Sequence, residues 1–183
     1  GLLETTMEGA RSVNTLLEDL VALTENREQE VAALEELLDP LVERAAALLR
    51  HDAALRKREV VLDTSSGARV ITDRHRIYLV LMNLLRNAVQ ATKPGDAIRM
   101  STRVEGAEAI IEVKDQGCGM SMEVQEQIFT PFFTTKGKEG MGLGLRLCKS
   151  SVERMGGTME CESAEQKGTT FRIRMPLLMK QKT

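Results

Sequence analysis

Apolar residues recur along this chain in two rhythms, and the change of rhythm divides it. Up to about residue 50 the spacing is three or four: Val13, Leu16, Leu17, Leu20 and Leu23, then Leu34, Leu37, Leu38, Leu41, Ala45 and Leu48. That spacing predicts two amphipathic helices. TENREQE between them has no apolar residue, so it is either a linker or a solvated helical bridge. Asp39-Pro40 either caps a helix with proline at its first position or bends one longer helix.

After Arg50 short β-like runs take over. VVLD (Val60 to Asp63) and ARVIT (Ala68 to Thr72), separated by Ser-Ser-Gly, predict a hairpin or two neighbouring strands. Asp73 is placed to cap a helix from Arg74 to about Ala91, which Lys93-Pro94-Gly95 ends. Ala97 to Val104 and Ala109 to Lys114 alternate and read as antiparallel strands. A helix from Leu143 to Met155, stopped by Gly156-Gly157, precedes two closing strands, Thr158 to Glu162 and Thr169 to Met175. The fold class expected is α+β: a two-layer α/β sandwich, its mixed sheet covered by helices on one face, with an N-terminal helical segment.

Composition narrows the picture. At 183 residues the chain can form one domain and a small appendage, with an aliphatic core, because aromatics are 3% and tryptophan is absent. Residues 1 to 50 carry 11 acidic side chains against 4 arginines, yet the net charge of the whole is only −2. That balance gives no reason to expect nucleic acid. Three cysteines without a CxxC pair fit free thiols in a reducing compartment and supply no zinc framework. No apolar run approaches the roughly 20 residues of a membrane span, so a cytoplasmic piece is expected, whose parent protein could still be membrane-anchored.

Candidate chemistry concentrates between Asp115 and Leu145, which hold six of the 14 glycines and three of the four phenylalanines. Glycine at that density suits a backbone that closely approaches a ligand. On the strand Ala109 to Lys114, alternation turns Asp115 inward with Ala109, Ile111 and Val113, and a buried carboxylate requires donors. Gly117 and Gly119 open space beside it for a flat base. Gly140, Gly142 and Gly144 run into a helix, where free N–H groups and the positive dipole end suit phosphate. Lys136 and Lys138 add positive charge before them. The spacing GxGxG is neither a Walker A loop nor a dinucleotide fingerprint. On the helix from Arg74, a strip of Asn83, Arg86, Asn87 and Gln90 interrupts an otherwise apolar cylinder. Asparagine carbonyls are neutral oxygen ligands suited to a Mg²⁺ that bridges phosphates.

In this order, NLLRNAVQA (Asn83 to Ala91), DQGCG (Asp115 to Gly119), FTPFF (Phe129 to Phe133), GMGLGL (Gly140 to Leu145) and GTTF (Gly168 to Phe171) resemble the boxes of the ATP-binding domain of sensor histidine kinases. That domain belongs to a larger family shared with the Hsp90, DNA gyrase and MutL ATPases. The resemblance covers about residues 31 to 176, and FTPFFTTK is similar to the nitrogen-regulation and sporulation type. It implies a kinase catalytic domain over 31–183 and ATP and Mg²⁺ as cofactors. Asp115 would accept the adenine amine, Asn87 would hold the metal, and Gly140, Gly142 and Gly144 would frame a lid and contact phosphates. Gly117, Gly119, Leu143, Leu145, Thr169 and Lys136 complete the implied nucleotide contacts, and Asn83, Asn87 and Lys136 the catalytic set. Hydrolytic relatives carry a water-activating Glu where Asn83 stands, so the resemblance favours phosphoryl transfer to a protein.

Arg11 to Thr24 resembles the second helix of a dimerisation hairpin, making residues 1–30 a partial dimerisation helix and linker. The helix bearing an acceptor histidine in H-[ED]-x-x-x-P is not found. His51-Asp52 lacks the proline and reads as a solvated helix end, and His75 as structural or exposed. Implied partners are the acceptor helix of the same or a partner kinase chain and a downstream response regulator, with a homodimer in the full-length protein. The alternative is a nucleotide-dependent binding module without phosphotransfer.

Overall fold

The computed structural model describes residues 33–49, 58–135 and 141–178. The helix expected over Arg11 to Thr24, His51, and the site candidates Lys136, Lys138 and Gly140 lie outside the described residues.

The first departure from expectation is at Leu34. Despite helical spacing, Leu34–Leu37 is a strand, β1, and helix α1 is Leu38–Leu49. Pro40 supplies the reason: a helix continuing upstream would need its missing N–H and would drive its ring into the carbonyl of Glu36, whereas the first helical turn tolerates it. Asp39 then ties the helix start to its surroundings. Its carboxylate accepts from Ser66 Oγ (2.6 Å), from Gly67 N (2.8 Å) and from Thr102 Oγ1.

That tie also explains why the two early strands are neither a hairpin nor neighbours in one sheet. β2 (Glu59–Thr64) pairs in parallel with β4 (Ala97–Glu105), while β3 (Arg69–Thr72) pairs antiparallel with β1. The Ser66-Gly67 loop, held by Asp39, leads the chain out of the large sheet into a two-stranded one. Helix α2 (Arg74–Ala91) follows and returns the chain to β4. Its cap is the expected one, since Asp73 accepts from His75 N (2.9 Å) and Arg76 N (3.2 Å).

β5 (Glu108–Asp115), a short helix α3 (Met122–Gln125), helix α4 (Gly144–Arg154), β6 (Thr158–Ala164) and β7 (Gly168–Pro176) complete the chain. The five-stranded sheet has the order β2-β4-β5-β7-β6 and is antiparallel except at β2–β4. Helix α2 packs against α1 and α4 on one sheet face. Ile77, Leu81, Leu84 and Leu85 meet Ile98, Met100, Ile111 and Ile173 there, all essentially without solvent exposure. The expected two-layer α/β sandwich with a mixed sheet is therefore the observed one.

The opposite sheet face carries ion pairs instead of helices. Arg103 reaches Glu105 and Glu112, Arg172 reaches Glu112, Glu160 and Glu162, and Arg174 reaches Glu105, Glu108 and Glu160. Ile110 is fully buried beneath this lattice, its neighbours across the ladders being Arg103 and Arg174. The aliphatic stems of arginine serve here as cover for an apolar side chain.

Candidate functional site

A cavity of about 690 Å³ opens between α2, α4 and the end of β5. Of the residues expected at the site, Asn83, Asn87, Asp115, Gly119, Gly142, Gly144, Leu145 and Thr169 line it. Gly117 and Leu143 do not, although their chain neighbours Cys118 and Gly144 do.

Asp115 ends β5 on the inward-facing set and is 4% exposed. Its Oδ1 accepts from Gly117 N (2.8 Å) and Thr169 N (3.2 Å). Oδ2 takes no hydrogen bond among the described residues, and the residue lines the cavity. Burial pushes the Asp115 carboxyl above the usual range, partly offset by the Gly117 and Thr169 amides, with Asp96 adding repulsion. Such a group gains from a ligand that donates to it. On β6, burial and the charges of Asp115 and Glu162 push the Cys161 thiol up to about 12, so it stays protonated.

The loop after Asp115 is fixed at each step. Cys118 N donates to Ala91 O (3.1 Å), Gln166 N to Cys118 O (2.7 Å), and Met120 N to Ser163 Oγ (2.9 Å). Gly119 sits at φ +66°, and a Cβ there would lie 1.8 Å from the Ala164 carbonyl oxygen. Only glycine fits that approach.

At the other end, α4 begins at Gly144 with Leu143 in the capping position and no side-chain cap. The first-turn N–H groups of such a helix lack side-chain acceptors and carry its positive dipole end. Gly142, at φ +66°, straps this turn to the phenylalanine segment: its carbonyl accepts from Phe132 N (3.1 Å). Phe133 lines the cavity, Phe129 lies under Lys149 with the ammonium 4.7 Å from the ring centroid, and Phe132 is 72% exposed at φ +65°.

The α2 strip joins the two ends. Asn83, Arg86, Asn87 and Gln90 all line the cavity, and Asn87 Nδ2 donates to Asn83 Oδ1 (3.0 Å). This bond links the Asn87 amide, through its nitrogen, to Asn83 one turn earlier on the helix. Asn83 also packs tightly on Gly144, where an added Cβ would lie 2.6 Å from Asn83 Nδ2. Among the described residues no group of three His, Cys, Asp or Glu could hold a metal. A cation here would rest on an amide oxygen and on the ligand's own phosphates, a donor set that suits Mg²⁺.

Sequence reasoning missed Arg76, Tyr78, Leu79 and Met120, which also line the cavity, as does Met141 of the GMGLGL box. Arg76 and Leu79 were findable, because 76, 79, 83, 86 and 90 advance by three or four along one helix face. His75 is exposed and outside the site.

Residues 72–179 match the histidine kinase-, DNA gyrase B- and HSP90-like ATPases. The chain belongs to that family. The sensor protein SrrB of Staphylococcus aureus is 41% identical over 109 residues, which are 57% of this chain and 19% of SrrB. The chain thus spans about a fifth of the length of that relative. The nucleotide-free catalytic domain of histidine kinase ThkA superposes with a TM-score of 0.71 at 32% identity, covering 79% of this chain and 95% of that one. ThkA in complex with the response regulator protein TrrA gives 0.75 at 26%, over 91% of this chain and 48% of that one. Within the family, then, this is the ATP-binding domain of a sensor histidine kinase. Among the described residues no helix is long and apolar enough to cross a membrane.

Proposed function

We propose that this domain binds ATP with Mg²⁺ and passes the γ-phosphoryl group to a histidine on a dimerisation helix. The observation that carries the reading is one cavity with an open carboxylate oxygen at one end and an uncapped helix start at the other. Asp115 Oδ2 accepts from the exocyclic amine of the base. The first turn of α4, with Gly142, Gly144 and Leu145, receives the phosphates on backbone N–H groups. Asn87 offers its carbonyl oxygen to the metal, and Asn83 holds that amide in place. Bound Mg²⁺ neutralises charge on the phosphates.

The acceptor imidazole nitrogen attacks phosphorus in line, the bond to the bridging oxygen breaks, and ADP leaves. An amide at position 83 cannot take a proton from water, which supports transfer over hydrolysis. Lys136 adds charge near the terminal phosphate in this reading. The cytoplasm, where ATP and a response regulator meet, is the proposed setting. ThkA's complex with TrrA supports a response regulator as the downstream partner.

Labelled ATP incubated with this chain and a separate acceptor-helix peptide tests the proposal. Label on the acceptor histidine is expected. ATP binding without any label would leave a nucleotide-dependent binding module in its place.

A further inference from the structure

Ser163, which belongs to none of the recognised boxes, lies on β6 at the base end of the cavity. Its backbone is clamped by α3: Ser163 N donates to Gln125 Oε1 (3.0 Å) and Gln125 Nε2 to Ser163 O (2.8 Å). Its hydroxyl has three neighbours. Met120 N donates to it (2.9 Å), it donates to Gly168 O (2.8 Å), and Thr169 Oγ1 lies at 3.0 Å.

A serine hydroxyl has one proton and two lone pairs. Gly168 O can only accept, so the proton of Ser163 is committed there. Met120 N–H fills one lone pair, and Thr169 must donate its own proton to the other. Thr169, 6% exposed and lining the cavity, is thereby left with only lone pairs to offer a ligand. Asp115 Oδ2 is likewise an acceptor.

We infer that Ser163 is a positioning residue for base specificity: by absorbing the Thr169 hydroxyl proton it makes the base pocket an all-acceptor surface that selects a 6-amino over a 6-oxo purine. The inference rests on the nucleotide reading of the cavity and adds to it a residue that touches no ligand itself. A 6-oxo purine exchanges the two amine hydrogens for a carbonyl acceptor and keeps N1–H as its one donor on that edge, so at the 6-position an acceptor faces acceptors and forfeits its bonds to water without replacement.

The test is calorimetric binding of ADP and inosine diphosphate, with Mg²⁺, to the chain and to Ser163→Ala and Ser163→Thr. Ser163→Ala frees the Thr169 proton to turn into the cavity and donate to the 6-oxo group. The preference for ADP should narrow by roughly three- to tenfold, the effect of about one hydrogen bond. Ser163→Thr, which keeps one proton and two lone pairs, should restore the preference. An unchanged ratio in Ser163→Ala, or an equal change in both variants, would overturn the assignment. Thr169→Val gives a readout independent of Ser163: it should weaken ADP and leave inosine diphosphate nearly unchanged, and equal losses would count against an acceptor-only Thr169. If the unaltered chain binds neither nucleotide, the nucleotide reading fails and this inference with it.

Discussion

The two ends of the cavity are built by opposite means. At the end proposed for the base, the loop from Asp115 to Met120 is tied to strands and to α2, and the oxygen proposed to read it belongs to a buried side chain whose charge burial disfavours. The end proposed for the phosphates is backbone and polar amides, with an uncapped helix start strapped through Gly142 to the exposed Phe132. In the proposed reading the first end gives up stability for a specific donor match, whereas the second offers diffuse positive potential. Specificity should accordingly be lost by changes at the first, and phosphate affinity by changes at the second.

The largest effect that could break this contrast comes from Gly119→Ala. A Cβ against the Ala164 carbonyl at positive φ should cost about 3 kcal/mol of stability, read by chemical denaturation. A loss of binding without a loss of stability would show the base loop to be softer than described. Next, Asp115→Asn should weaken ADP by about ten- to a hundredfold through loss of a charge-assisted acceptor. Without nucleotide the same variant should melt no lower than the parent, since it removes a charge that burial disfavours.

The sign in pH follows from that burial. A carboxyl raised by folding adds stability below its unfolded value, and this is lost as pH rises through the raised folded value. The ligand-free chain should therefore gain a contribution from Asp115 on acidification while ADP affinity falls, and Asp115→Asn should flatten both profiles. Asn87→Ala should cost about tenfold in nucleotide affinity with Mg²⁺ present and little in its absence, which titrations with and without chelator separate. The smallest effect is expected for Phe132→Gly. It keeps the N–H that donates to Gly142 and relieves a positive φ, so stability should stay within about 1 kcal/mol of the parent. Affinities for ATP and for adenosine should both hold, and a loss confined to ATP would make this exposed ring part of the phosphate end.

Periodic signals in the sequence resolved α2, α4, the β4–β5 and β6–β7 pairs and the inward turn of Asp115, because each is decided locally by alternation, caps and glycine stops. Leu34–Leu37 was misread because its leucines keep helical spacing and the deciding fact is the steric demand of Pro40 just beyond them. The expected hairpin or neighbouring pair of β2 and β3 failed because a carboxylate from α1 redirects the intervening loop, a contact between residues 27 apart. Arg76 and Leu79 were within reach of a longer reading of the α2 strip. Ser163 and Gln125 were not: they sit 38 apart, and only the folded register brings them together and delivers the serine to Thr169.

Tyr78 lines the cavity and is the only tyrosine in a chain that has no tryptophan. Ultraviolet emission excited near the tyrosine absorption band therefore originates from one residue beside the proposed nucleotide site. The protein comes with its own optical gauge: occupancy of the cavity can be followed from the native chromophore, with no label attached and no second emitter to subtract.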